Sequence, residues 1–481
     1  MEEHKVTVDG KTYALPDPFI VLATQNPVGS AGTTMLPNSQ LDRFLIRVSM
    51  GYPDHKSSVN ILRDRHMEIT EDLPQADIII VNTCTFIEKA KQESIDTILQ
   101  AARYKTEGKC KILIVTGCLS QQYKEDLMKE MPEIDALLGT GSWDRIWEAI
   151  DTVKKGRKAC FMDDVSHLYN QNTSRLRTTP KYSAYVKIGE GCNNGCSFCI
   201  IPHVRGKLYS RPVDSVVAEV QQLAADGVKE VNLIAQDTTS YGVDLAGHSL
   251  LPELLRQLVK IDGIRWIRLF YLYPHYFTDE LMDLIVKEEK ICPYVDLPLQ
   301  HISQSVLQRM NRRDSEADVR SLMKKLCSHG RKLTLRSTFI VGFPGETEEE
   351  FQELCDFVKE TEFDDVGVFT YSREDGTPAA LMDGQIPEEV KEERYHQLMA
   401  IQAKVSEIRN QELEGSVHTM LVERVEEEKG IRQAVGRIEI QAPDVDGLTY
   451  LEDAQDVQPG DMIPVRIAQG FAYDLVAEWM D

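Results

Sequence analysis

Residues 189–212 read GEGCNNGCSFCIIPHVRGKLYSRP and place cysteines at 192, 196 and 199, directly after the β-branched run SAYVKI. Cysteine supplies the soft thiolate that zinc and iron–sulfur clusters prefer. A closed structural zinc site takes four protein ligands, and CxxC pairs usually arrive with a second pair. No fourth cysteine stands nearby, and His203 is the imidazole closest in sequence. Three thiolates on a [4Fe-4S] cubane leave one iron open to a substrate or cofactor. Gly189, Gly191 and Gly195 let the backbone wrap closely around a bulky inorganic core.

Outward from this loop, short apolar runs alternate with amphipathic stretches of helical period, the rhythm of βα units. Strand candidates are SAYVKIGEG, KEVNLIAQD, IRWIRLFYLYP, YVDLPLQHI, LTLRSTFIVGF and DDVGVFTYS. Between them lie helix candidates such as VDSVVAEVQQLAADG, with Val217, Val220, Leu223 and Ala224 on one face. Parallel strands joined this way form a barrel or part of one, with chemistry at the C-terminal strand ends. The cysteine triplet falls on that rim. ADIIIVNTC, EKAKQESIDTILQAARY, CKILIVTGC and SQQYKEDLMKEM repeat the alternation on a smaller scale, as in an open α/β unit. Cys84 and Cys118 each follow a strand there, while Cys110 and Cys118 bracket one strand and so belong at opposite sheet edges. Cys292, Cys327 and Cys355 are expected to be buried as small apolar residues. A polar linker, NQNTSRLRTTPKYS, leads into the barrel. After the long polar helix PEEVKEERYHQLMAIQAKVSEIRNQEL, short strands separated by Gly, Pro and Asp turns indicate a small β-barrel from Gly415 onward.

The bulk composition agrees. The 481 residues carry a formal charge of −23, with 42% hydrophobic and 27% charged residues, and the length suggests about three domains. The longest apolar runs fall far short of the roughly 20 residues of a membrane helix. MEEHKVTVDG lacks the pattern of a secretory signal, so the expected compartment is the cytoplasm. There the 10 cysteines are thiols or metal ligands rather than bridges. The acidic balance disfavours nucleic acid and anionic membranes and favours a basic partner.

The CxxxCxxC loop, with Phe198 before its last cysteine, resembles the signature of radical S-adenosylmethionine (SAM) enzymes. GCNNGCSFCIIPHVRGKLYSRP is similar to the methylthiotransferases within that superfamily. IAQDTTSYG, FYLYPHYFTDEL, YVDLPLQHIS and GVFTYSREDGTPAA resemble their RimO branch, which modifies an aspartate of ribosomal protein twelve of the small subunit, more than the branch that modifies tRNA adenosine. From Gly415 to Asp481 there are 5 Lys or Arg against 14 Asp or Glu. Such a tail suits a basic protein substrate better than RNA phosphates.

The resemblance implies an α/β chain of three parts: a truncated open α/β methylthiotransferase domain (66–170), a radical SAM partial (β/α) barrel (180–412) and a C-terminal TRAM β-barrel (415–481). It implies a radical [4Fe-4S] cluster on Cys192, Cys196 and Cys199. Phe198, Gln236, Asp237 and Gly342 would lie beside SAM, although Gln236 and Asp237 could equally cap the next element, and Glu346 could simply start a helix. It also implies an auxiliary [4Fe-4S] cluster, with Cys84 and Cys118 as ligands, and an electron donor such as flavodoxin or ferredoxin. The family takes a third auxiliary cysteine from an N-terminal motif that this sequence lacks. Residues 1–63 instead resemble the MoxR branch of AAA+ ATPases, with Asn26 as sensor and Arg43 as arginine finger, but no GxxxxGK[ST] loop is present to cradle phosphate. The expectation is a fusion whose auxiliary cluster is incomplete, whose α/β sheet has one bare edge, and whose activity is open to impairment. tRNA adenosine methylthiolation is the alternative activity.

Overall fold

The computed structural model describes residues 5–8, 11–14, 19–24, 68–70, 72–163, 179–328, 332–428, 431–452, 454 and 456–480. Asn26, Arg43 and most of the polar linker lie outside them. The chain divides into two compact units, one built on residues up to 178 with 203–206, the other on 179–202 and 207–481.

In the first unit β1 (Lys5–Val8) and β2 (Lys11–Ala14) form an antiparallel hairpin. β3 (Phe19–Thr24), β4 (Glu68–Ile69), β5 (Ile78–Thr83), β6 (Ile112–Gly117), β7 (Ala136–Leu138) and β8 (Ala159–Phe161) make a parallel sheet in the order β4-β3-β5-β6-β7-β8. The runs Ile78–Val81 and Ile112–Val115 are buried, as continuous apolar strands are in a sheet covered on both faces. Helix α1 (Glu88–Glu107) packs Ala90, Ser94, Ile98 and Ala101 inward along one stripe. Helices α2 (Cys118–Glu130) and α3 (Ile146–Lys154) follow β6 and β7. The bare sheet edge expected beside β5 is absent: FIVLAT pairs with it in parallel register, Ile20 opposite Ile78 and Thr24 opposite Asn82. Strand pairing is made by backbone groups, so an extended β-branched segment satisfies it whatever its side chains.

In the second unit β9 (Ser183–Lys187), β12 (Glu230–Ile234) and β13 (Trp266–Leu269) form one parallel sheet, and β14 (Tyr294–Asp296), β15 (Thr334–Val341) and β16 (Asp365–Thr370) another. A bridge from Ile267 to Ile291 joins them, so six parallel strands follow one another in chain order as an open barrel. A short ribbon, β10 (Gly189–Glu190) with β11 (Tyr209–Ser210), flanks the cysteine loop. Outer helices are α4 (Val213–Ala225), α5 (Leu251–Leu258), α6 (Asp279–Lys287), α7 (Gln304–Arg309), α8 (Glu316–Ser328), α9 (Glu348–Thr361) and α10 (Glu388–Gln411). The inward stripe of α4 is Val216, Val220 and Leu223, with Glu219 turned in toward Arg211; Val217 and Ala224 lie at its margin. Cys292 and Cys355 are buried as expected, but Cys327 is exposed near the end of α8.

The tail is a closed barrel, β17 (Val417–Glu428), β18 (Ile431–Ile438), β19 (Thr449–Leu451), β21 (Leu475–Trp479) and β20 (Met462–Gly470) in spatial order. It shares a core with the larger barrel: Leu421 and Ala442 pack with Tyr182, Trp266, Phe270, Cys292 and Tyr294. Glu230, the first residue of β12, is fully buried and takes Arg437 at 2.7 Å, Arg268 at 3.3 Å and the Ser183 hydroxyl at 2.8 Å. Burial alone would raise the Glu230 pKa, but Arg437 and Arg268 outweigh it and draw it down to about 2. On the second sheet, Asp446 of the tail meets Arg336 at 3.2 Å and the Tyr294 hydroxyl at 2.7 Å. The small barrel thus fixes the floor near the strand N-termini and leaves the opposite rim for chemistry.

Candidate active site and cluster-binding loop

The three cysteines sit on the loop after β9 and β10, at the C-terminal rim. Gly191 (φ 74°) and Gly195 (φ 68°) take left-handed backbone that side chains disfavour, and this lets the loop curl. The Asn194 amide donates to Cys192 Sγ at 3.5 Å, and the Cys199 amide to the Cys196 carbonyl at 3.0 Å. Burial pushes the Cys192 thiol up to about 11 and the Cys199 thiol up to about 12, with the neighbouring cysteines adding to both. At neutral pH both thiols are therefore protonated, and a metal must displace their protons to bind.

A segment far away in sequence cradles this loop. The Ser197 amide donates to Met310 O (2.9 Å) and its hydroxyl to Arg309 O (2.7 Å). Asn311 Nδ2 donates to Gly195 O at 2.8 Å, and Arg313 to Asn193 O at 2.9 Å. Arg312 reaches Cys196 Sγ at 3.8 Å. Sequence reading passed over this NRR run because its partners lie more than a hundred residues away.

Phe198 packs edge-on against Phe343 at 6.4 Å, beside Val306, Met310, Tyr371 and Ala379. Gln236 lies just past β12 and donates to Glu190 at 2.7 Å; its Oε1 is buried with no partner among the described residues. Such an orphaned acceptor is costly unless a donor arrives. Asp237 has both oxygens engaged, by Asn194 (2.7 Å), the Thr239 hydroxyl (2.6 Å) and the Ser240 amide (3.1 Å). It therefore ties the loop to the second strand and caps the turn after it. Gly342 has φ 72°, and a Cβ there would collide with Lys391. Its amide donates to Glu346, which is 3% exposed and also takes His301 at 3.0 Å and Arg394 at 2.7 Å. The helix-start reading of Glu346 does not hold: Thr347 is the N-cap of α9, in a capping box with Glu350.

Among the described residues no three His, Cys, Asp or Glu side chains form a group that could hold a metal ion as they stand. The loop's fit to a radical cluster lies instead in three soft donors, a backbone cradle, and an orphaned acceptor on the same rim. The other thiols match less well. Cys84 follows β5, with its Sγ accepting from the Phe86 amide at 3.4 Å. Burial raises its pKa, and nearby Cys118 pushes the same way. Cys110 precedes β6 and is buried at the opposite end of that strand; Cys160 is paired within β8, two strands away from β6. The chain past Thr24 continues Gln25-Asn26-Pro27 and brings no thiol. Among the described residues of the first unit, Cys84 and Cys118 are the thiols just past C-terminal strand ends.

Comparison with known proteins agrees with this picture. Residues 186–358 match the Radical SAM superfamily, 49–139 the uncharacterized protein family UPF0004, 415–480 the TRAM domain, and 1–46 the ATPase family associated with various cellular activities. The chain is 49% identical over 437 residues to ribosomal protein uS12 methylthiotransferase RimO of Geotalea uraniireducens, covering 90% of this chain and 97% of that protein. It is 51% identical to the same-named protein of Syntrophotalea carbinolica, covering 89% and 94%. Among solved structures, the radical SAM methyltransferase TsrM of Kitasatospora setae aligns with TM-score 0.51 at 16% identity, over 67% of this chain and 73% of that one, a likeness of fold. With curled thiol loop, open parallel barrel and small tail barrel all in place, the chain belongs to the RimO family of ribosomal protein uS12 methylthiotransferases.

Proposed function

We propose that this chain transfers a methylthio group to the β-carbon of an aspartate in ribosomal protein uS12, and that Cys192, Cys196 and Cys199 hold the cluster that starts the reaction. The observation that carries this reading is the thiol triplet on the barrel rim, cradled by residues 309–313, with the orphaned acceptor of Gln236 on the same rim. A [4Fe-4S] cluster held by these three thiolates would supply one-electron reductive chemistry toward SAM, with the electron drawn from a flavodoxin- or ferredoxin-like donor. The protein's own part is binding and orientation. Gln236 Oε1 suits the ammonium of the cofactor, Phe198 and Phe343 suit its apolar portion, and Glu346 fixes the backbone at Gly342. Asp237 acts through Asn194, which it holds within the loop. On this reading the domains run 66–170, 180–412 and 415–481, behind a fragment at 1–63 without nucleotide chemistry, and the protein works in the cytoplasm.

The tail binds protein rather than RNA on this reading. Part of its acidity is spent inward, since Asp446 and Glu423 face Arg336 and Arg437, yet acidic residues still outnumber basic ones. The test is mass spectrometry of uS12 after anaerobic incubation with reconstituted enzyme, SAM and a low-potential reductant. Replacement of one aspartate hydrogen by SCH₃ supports the proposal; modified tRNA adenosine with unmodified uS12 overturns it. A second reading is favoured by the sheet edge that offers two thiols, Cys84 and Cys118: cofactor cleavage proceeds, but no methylthio product forms.

A further inference from the structure

Among the described residues of the second unit, five buried arginines each meet a carboxylate: Arg211 with Glu219, Arg268 and Arg437 with Glu230, Arg336 with Asp296, and Arg394 with Glu346. Arg312, half-buried at the rim, pairs with no carboxylate among them. Its Nη2 donates to Pro298 O at 2.9 Å, its guanidinium lies 4.0 Å from the centre of the Tyr273 ring, and its Nη1 points to Cys196 Sγ at 3.8 Å. Asp314 is close enough to act on it electrostatically, but its carboxylate faces His275 at 3.9 Å and makes no ion pair with Arg312. A carbonyl, an aromatic face and a sulfur all accept a cation, yet none of them carries the full negative charge that a shielded guanidinium otherwise has in this protein.

The missing anion is at hand once the three cysteines are deprotonated around a cluster. A cubane on three thiolates is anionic, and it gains one further negative charge when reduced. We propose that Arg312 is the counter-ion of this cluster, a positioning residue whose fixed charge beside Cys196 favours the one-electron reduced state. The inference rests on the cluster assignment made under Proposed function. In the reduction itself an external one-electron donor, dithionite in the test, supplies the electron to the cluster, and no covalent bond forms or breaks. Arginine suits the place because its planar fork can serve Pro298 and Cys196 at once while stacking on Tyr273. The second shell and local charge around a cluster are levers on its potential.

The test is an EPR-monitored redox titration of the anaerobically reconstituted full chain and its R312Q, R312K and R313Q variants, with iron content and SAM affinity measured on each. In R312Q the equilibrium constant for one-electron reduction is expected to fall about tenfold, a midpoint about 59 mV more negative, with SAM affinity kept within about twofold. R312K should retain most of the native midpoint. R313Q loses a neighbouring charge that contacts Asn193 and Tyr276 but no sulfur, and should shift far less. An unchanged midpoint in R312Q overturns the proposal, as does an equal shift in R313Q. An unchanged midpoint with SAM bound more than tenfold more weakly would assign Arg312 to the cofactor carboxylate instead. Should R312Q fail to hold a cluster, R312K decides: a bound cluster with a near-native midpoint supports the counter-ion role, and loss of the cluster in spite of the retained charge makes Arg312 merely structural. Absence of a cubane in the native chain, or its survival in C196A, would instead remove the assignment on which the inference rests.

Discussion

The thiols at 192, 196 and 199 and those at 84 and 118 occupy the same topological place, just past the C-terminal ends of parallel strands, but their surroundings differ. Around the first set, left-handed glycines curl the loop, residues 309–313 hold its backbone, and a guanidinium faces one sulfur. Around the second, Cys84 receives backbone and Ser94 contacts, and the neighbouring strand position is filled by FIVLAT. Backbone pairing is indifferent to side-chain chemistry, so FIVLAT completes the sheet. A ligand set is not indifferent, and on the reading proposed above FIVLAT and the residues after it offer an auxiliary cluster no further thiol.

The strongest way to break this contrast is to remove one sulfur from each set. C192A, C196A or C199A should reduce cofactor cleavage, read as 5′-deoxyadenosine under dithionite, to background, whereas C84A should leave it near native. Equal loss in both would mean that the sets depend on one another. The contrast sharpens by counting metal: iron and sulfide of the reconstituted native chain should amount to one cubane, and two cubanes per chain would refute it.

A smaller effect tests the cradle on the far side of the rim. E346A leaves buried Arg394 with only the exposed Glu348 carboxylate and should lower stability by about 3 kcal/mol, read as a fall in Tm; E346Q, which keeps the shape, should lose less. The mildest test concerns pH. Glu230 has a folded pKa drawn below its unfolded value, to about 2, so its contribution is full above the ordinary glutamate range and fades as pH falls from about 4.5 toward 2. Urea midpoints of the native chain should drop across that window, and E230Q should flatten the drop.

Much of this was legible in the sequence. The thiol triplet, the βα rhythm and the turn-rich tail are local patterns, readable within a window of a few residues. Arg312 and Glu346 were not, because their meaning lies in partners 116 and 45 residues away. The helix-start reading of Glu346 was avoidable: TEEE is a capping box with Thr347 as N-cap, which leaves the preceding glutamate outside the helix. Cys327 misled for the opposite reason, since average burial of cysteine says nothing about which face of α8 carries it. The strand FIVLAT was read as foreign, and no local signal distinguishes a foreign strand from one that docks.

The buried ion pairs beneath the large barrel bear on how this fold can be re-engineered. Exchanging the tail for that of an RNA-modifying relative is an obvious way to retarget such an enzyme. Unless the incoming module carries equivalents of Arg437 and Asp446, the graft leaves buried Glu230 with Arg268 as its one remaining guanidinium and buried Arg336 with Asp296 as its one remaining carboxylate. A chimera made that way would report misfolding before it reported substrate choice.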